Sequence, residues 1–139
     1  MFYLFNKEYD YAIRICGFLA GAPEKKFSIR ELSKKLLITL PFATKIIYKL
    51  KISGIVITER GKYGGVLLAK SPENITLFEI LTAIGLLKKI SECITEDKFC
   101  PLPAPCKIHS FFMDEEEIIF TKLKSLSIHE FKFTETDFK

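Results

Sequence analysis

The sequence predicts a mainly α fold with one small β-hairpin. Three observations predict it: apolar residues recur at helical spacing in several short stretches, two of those stretches open on a capping box, and two β-branched runs flank a connection holding three glycines. With 139 residues, 48% hydrophobic and 13% aromatic, the chain has material for one core, or one core with an appendage.

The first helix is read over residues 6–20, where Ala12, Ile13, Cys16, Leu19 and Ala20 share a face; Gly21 and Pro23 end it. Cys16 lies in the middle of that face and reads as a small core residue. A second helix starts at Ser28, whose hydroxyl and the Glu31 carboxylate can satisfy each other's backbone N–H; Ile29, Leu32 and Leu36 form its apolar stripe. Four residues, "LITL", lead to a third helix with Pro41 near its start and Gly54 past its end, and with Ile46, Ile47 and Leu50 facing inward. Two helices joined so tightly form a helix-turn-helix candidate.

Ile55–Thr58 and Val66–Ala69 follow as hairpin strands, joined by residues 59–65 with Gly61, Gly64 and Gly65 supplying tight-turn freedom. Arg60, Lys62 and Tyr63 at the tip are unusual for a purely structural turn. The order is that of a winged helix-turn-helix: the third helix can enter a DNA major groove while the wing reaches backbone or minor groove. A fourth helix starts at Thr76 with Glu79 as its capping partner and carries Leu77, Ile80, Leu81 and Ile84 on one face. A long C-terminal helix is read over about residues 110–126, with Phe111, Phe112, Ile118, Ile119, Leu123 and Leu126 giving more apolar surface than one subunit can cover. This predicts a homodimer through that helix. The polar-aromatic tail "HEFKFTETDFK" is expected to fray.

Charge supports a polyanion partner. Residues 1–70 hold 13 Lys/Arg against 5 Asp/Glu, a net +8, whereas residues 71–139 hold 8 against 12, a net −4. No apolar run approaches the ~20 residues of a membrane span, and the N-terminus lacks a secretory pattern. A cytoplasmic protein is expected, in which clustered cysteines hold a metal or do redox work.

Cys93, Cys100, Cys106 and His109 are gathered in one proline-rich segment, as C-x6-C-x5-C followed three residues on by the histidine. Thiolates select zinc, copper(I) or iron–sulfur clusters. Zinc sites usually pair cysteines at shorter spacing, so these gaps suit a multi-iron core better, although a zinc site and a metal-free thiol switch stay open. A cysteine–histidine enzyme lacks an orienting acid and an oxyanion hole, so no enzyme is predicted. A winged-helix protein-interaction module is the remaining alternative; the basic wing and first half favour nucleic acid.

In that order, "DYAIR", "FSIRELSKKLLITLPFATKIIYKLKISGIV", "ERGKYGGVLLAK", "ITLFEILTAI" and the three cysteines resemble the IscR/NsrR family of bacterial winged-helix regulators, from about Asp10 to Phe131. The resemblance implies a homodimeric transcriptional regulator, a repressor on a palindromic operator, that senses redox state or nitric oxide through an iron–sulfur cluster of 2Fe–2S or 4Fe–4S type. It further implies Cys93, Cys100 and Cys106 as cluster ligands. The first cysteine gap is one residue longer than the commoner family pattern. For the fourth ligand, His109 matches the histidine of the IscR branch and Asp10 matches an aspartate that reaches the partner subunit's cluster in the NsrR branch. The chain then divides into a winged-helix DNA-binding domain (1–86), a cysteine-rich cluster-binding loop (87–109) and a dimerisation helix with tail (110–139). Expected DNA contacts are Ser28, Thr39, Pro41, Phe42, Thr44, Lys45 and Lys49 in the helix pair, with Arg60, Lys62 and Tyr63 in the wing.

Overall fold

The computed structural model describes residues 5–86 and 106–138. Its helices are α1 (Lys7–Gly21), α2 (Ile29–Leu36), α3 (Leu40–Ile52), α4 (Leu77–Ile84) and α5 (Lys107–Ser125). Between α3 and α4 stands an antiparallel hairpin of β1 (Val56–Glu59) and β2 (Gly65–Leu68), and short 3-10 turns occupy Pro72–Asn74, Ile128–Phe131 and Glu135–Phe138. This is the mainly helical, winged arrangement expected from the sequence. Cys93, Cys100 and the rest of residues 87–105 lie outside the described residues.

Helix starts follow side-chain chemistry. The Asn6 carboxamide accepts from the N–H groups of Glu8 (2.9 Å) and Tyr9 (3.4 Å) at the head of α1. Ser28 with Glu31 and Thr76 with Glu79 form complete capping boxes at α2 and α4. Helix α2 ends on Leu37, whose φ of 56° is left-handed while its side chain is 86% exposed. A leucine there costs about 1–2 kcal/mol and buries little in return, so the turn into α3 is held by its neighbours: Ile38 N–H reaches Ser33 O at 3.0 Å, and the Ser33 hydroxyl donates to Ile38 O.

The hairpin pairs Val56 with Leu68 and Glu59 with Gly65. Its strands sit one residue off the sequence reading, although Ala69 N–H still bonds Ile55 O at 2.9 Å. Phe27, just before α2, exchanges both backbone bonds with Val66, at 3.2 and 2.7 Å, so the wing is tied to the helix pair as a third, one-residue rung. A Cβ on Gly65 would stand 2.8 Å from Phe27 O, which makes glycine a condition of that rung.

The core gathers around α1. Ala12, Ile15, Cys16, Phe18, Leu19 and Ala20 are all buried, a wider face than the sequence stripe, which lacked Ile15 and Phe18. The extra side is covered by partners distant in sequence: Phe18 packs on Phe27 at 5.0 Å and on Phe133 at 5.8 Å between ring centroids. The tail therefore departs from the expected fraying. Ile128 is fully buried, its N–H bonds Ile75 O at 2.8 Å, and Leu77 N–H bonds Leu126 O at 2.9 Å. Beyond it the chain crosses α1, where Phe133 N–H reaches Gly17 O at 3.2 Å, and Glu135 pairs with Lys35 of α2. Two glycines one turn apart let this backbone approach: a Cβ on Gly17 would lie 2.8 Å from Phe131 O, and one on Gly21 only 2.0 Å from Phe133 O.

Helix α5 begins a turn earlier than the sequence suggested, with Cys106 as its N-cap. Only its C-terminal part joins the core, through Phe120 and Leu123, with Phe78 of α4 edge-on to Phe120 at 5.7 Å. Upstream, Ile108, Phe111, Met113 and Ile118 are exposed on the described chain.

Replacing a helical glycine by alanine ordinarily stabilises by ~0.5–1 kcal/mol. Gly21→Ala is expected to do the reverse, lowering stability by about 1–3 kcal/mol, because the new methyl group meets backbone. A urea midpoint at or above that of the wild type would remove the tail crossing as a packing element.

Candidate nucleic-acid interface and cysteine site

Helix α3 turns Ala43, Ile46, Ile47 and Leu50 to the core and leaves Thr39, Leu40, Pro41, Thr44, Lys45 and Tyr48 exposed. Thr39 is the N-cap but its hydroxyl makes no capping bond, and Pro41 occupies the first turn, where no N–H is required. The Thr44 hydroxyl donates to Leu40 O at 2.8 Å. Phe42 is half-buried, its ring edge-on to Tyr11 at 5.2 Å, so it braces the front of α3 against α1 as well as edging the exposed face.

Lys45 and Lys49 lie one turn apart and share one carboxylate. Lys45 Nζ stands 2.6 Å from Glu8 Oε1, and Lys49 Nζ stands 3.2 Å from Glu8 Oε2. The hydrogen bond from Lys45, joined by that from Lys49, holds the Glu8 carboxyl below its ordinary range against the opposing effect of burial. Ser28 is half-buried; its oxygen accepts from Glu31 N–H at 3.0 Å, which leaves the hydroxyl proton available to donate.

The wing tip is open. Arg60 and Lys62 are exposed, Tyr63 is 82% exposed, and the Lys62 ammonium lies 5.7 Å from the Tyr63 ring centroid. Gly61 has φ +102°, and a Cβ on Gly64 would stand 2.1 Å from Glu59 O, so the turn needs both glycines. At its base Lys26 pairs with Glu59.

The described part of the cysteine site is the start of α5. Cys106 is half-exposed at the N-cap and His109 is exposed within the first turn, so both side chains emerge from one end of one helix. Asp10 lies on α1 and bonds Arg14 Nη2 at 2.9 Å, while Arg14 Nη1 donates to Leu36 O at 3.1 Å and closes the end of α2. Cys16 is fully buried and its thiol is pushed up to about 12 by that burial, so it stays neutral and unavailable as a ligand. Among the described residues no group of three or more His, Cys, Asp and Glu is placed to hold a metal ion; Cys93 and Cys100 are not among them.

Glu8 and Arg14 are the residues that sequence reasoning missed. Glu8 meets Lys45 from 37 positions away, and no local pattern announces that meeting.

Comparison with known proteins agrees with this architecture. The sequence profile of the Rrf2 family, described as an iron-dependent transcriptional regulator, matches residues 5–132. The HTH-type transcriptional regulator NsrR of Bacillus subtilis is 31% identical over 99 residues, covering 70% of this chain and 68% of that one. Among solved structures, CymR, the global cysteine regulator of B. subtilis, superposes with a TM-score of 0.73 at 19% identity, over 92% of this chain and 94% of its own. The IscR of T. potens superposes at 0.70 and 18% identity, over 89% and 82%. Both establish the fold. Among the described residues no helix is long and apolar enough to cross a membrane. With a family match across nearly its whole length and regulators as its relatives, this chain belongs to the Rrf2 family: it is a winged-helix, DNA-binding transcriptional regulator and not an enzyme.

Proposed function

We propose that the chain acts as a homodimeric repressor whose operator affinity is set by an iron–sulfur cluster held by Cys93, Cys100, Cys106 and a fourth ligand. The observation that carries this reading is the start of α5. Cys106 and His109 emerge there together, at the head of a helix whose outer face exposes Ile108, Phe111 and Ile118. A thiolate and an imidazole within one helical turn suit an iron centre, and the first-turn N–H groups of a helix favour an anionic group beside them. The family description as iron-dependent and the resemblance to NsrR point the same way.

A bound cluster would supply a centre that oxidants or nitric oxide can alter. What this chain contributes is the path away from it. The far end of α5 is pinned to the head by Phe120, Leu123 and the backbone bonds at Leu126 and Ile128, so a change in the order of residues 87–109 bears on a helix that packs on α4 and runs into the turn seated on α1. On this reading residues 1–86 read DNA, 87–109 hold the cluster and, within 110–139, the outer face of α5 pairs the subunits while the tail fastens that helix to its own head. His109 is the preferred fourth ligand, since it shares a helical turn with Cys106, whereas Asp10 lies on α1 with one carboxylate oxygen on Arg14.

In the DNA-bound state Thr39, Pro41 and Thr44 face base edges, with Phe42 at the margin of that face. Ser28, Lys45 and Lys49 meet phosphates, and Arg60, Lys62 and Tyr63 enter the flanking groove. Arg60→Ala is expected to weaken binding by ~1–3 kcal/mol. Unchanged affinity together with an unchanged salt slope in a mobility-shift titration would remove the wing from the interface.

The cluster is tested on protein purified without air, by its visible and Mössbauer spectra and its iron content. Alanine at Cys93, Cys100 or Cys106 is expected to abolish the visible chromophore and alter operator affinity, whereas Cys16→Ala does neither. His109→Ala should shift the spectrum and speed cluster loss more than Asp10→Ala does; the reverse order would bring the ligand from the partner subunit. Colourless protein with stoichiometric zinc would replace the cluster by a zinc site, and metal-free protein with redox-dependent binding would leave a thiol switch.

The dimer is tested by light scattering at micromolar concentration. A dimer is expected for the wild type and a monomer for Ile118→Glu, which places a charge on the exposed apolar side of α5. A monomeric wild type would overturn this part of the reading.

A further inference from the structure

We infer that Glu8 is a positioning residue that lowers the sequence-independent affinity of the DNA-reading head by holding Lys45 and Lys49 on its carboxylate. The inference rests on the winged helix binding DNA through the exposed face of α3.

The geometry is that of a bracket between two helices. Glu8 occupies the first turn of α1, where Asn6 accepts from its N–H at 2.9 Å and holds its backbone. Its side chain is 22% exposed, tucked beneath the face that carries the two lysines, and its two oxygens are divided between them at 2.6 and 3.2 Å. The Lys45 ammonium is further confined beside the Phe42 ring, 5.8 Å from the centroid. Two ammonium groups and one carboxylate leave this part of the reading face at +1 rather than +2.

Stability alone is a poor account of the arrangement. The Lys45 side chain is 54% exposed, and exposed ion pairs contribute little because solvent screens them. The placement explains more. A random phosphate must displace a carboxylate already seated on Lys45, so contacts that need only charge are weakened. On a matched site, base and wing contacts fix the register, and the two ammonium groups are already ordered where the backbone passes. Specificity is a difference of affinities, and a built-in competitor that weakens the non-specific state enlarges it. Glu8 stays ionised at neutral pH because the Lys45 hydrogen bond favours the charged form.

The test titrates wild type, Glu8→Gln and Glu8→Ala with a random-sequence duplex of about 30 base pairs, by fluorescence anisotropy between about 50 and about 200 mM salt. Both variants are expected to bind this duplex about three- to tenfold more tightly at the lower salt, with a log–log salt slope steeper by about 1 as the released lysines displace more counterions. Measured in the Lys45→Ala, Lys49→Ala background, Glu8→Gln should give no gain over that double variant, which a general structural effect would not do. Affinity and slope equal to or weaker than those of the wild type in both single variants would overturn the inference, as would a gain that survives loss of both lysines. Absence of salt-dependent binding by the wild type would instead overturn the DNA-binding reading beneath it.

Discussion

The close approach of the C-terminal backbone to α1, allowed by Gly17 and Gly21, is the constraint on which much of the rest depends. Residues 131–133 cross that helix where a Cβ would stand 2.8 Å or less from a carbonyl oxygen, and the crossing brings Phe133 onto Phe18. Phe18 also packs on Phe27, which bridges to Val66 of the wing. One contact therefore joins the chain's end, its first helix and its hairpin in a single apolar cluster. The Glu135–Lys35 pair carries the tie on to α2. Being an exposed pair it adds little stability, but it marks where the tail runs: alongside the helix pair that presents the reading face.

That face is less basic than its lysine content implies. Charge in the first half of the sequence is strongly positive, yet several cations are already engaged: Lys45 and Lys49 by Glu8, Arg14 by Asp10, Lys26 by Glu59. Arg60 makes no ion pair among the described residues, and Lys62 lies over Tyr63. At the reading face this leaves Lys45 and Lys49 paired on α3 and the cations of the wing tip open. A helix in a major groove works through register and base edges, so ordered ammonium groups suit it, whereas a wing tip needs reach more than order.

What was legible in the sequence was local. Ser28 with Glu31 and Thr76 with Glu79 sit three residues apart, so their capping boxes can be read without knowing the fold, and Gly54 and the three wing glycines mark ends and turns in the same way. What was hidden depends on distance. Phe131 and Phe133 lie in a polar stretch with no period, and nothing near them says that a glycine pair waits on α1. Ile15 and Phe18 fall off the simple stripe because α1 is covered from several sides, which a single-face pattern cannot anticipate. The early start of α5 was masked by the prolines before it, although proline suits the approach to a helix, whose first N–H groups have no partner within the helix. The cysteine spacing suggests soft-ligand chemistry from sequence alone, with Cys93 and Cys100 outside the described residues, while the Glu8 bracket required the third dimension.

The length of α5 gives the proposed control its mechanical sense. Its 19 residues span about 28 Å at ~1.5 Å per residue, and only the C-terminal part is packed into the head. Cys106 and His109 stand at the other end, so order imposed there acts on the long arm of a helix anchored near Phe120, Leu123 and Ile128. A tilt of about 5° about that anchor displaces the head of the helix by about 2 Å. In a dimer paired through α5 the same tilt, read from the other side, turns each winged helix relative to its twin. On the proposed reading half-sites lie about 34 Å apart, so a displacement of this size bears on how well two recognition helices match them. The tail crossing matters here because a lever transmits only through a stiff mount. With the backbone of residues 126–133 bonded to Ile75, Leu77 and Gly17, the tilt is passed to the head rather than absorbed at the joint.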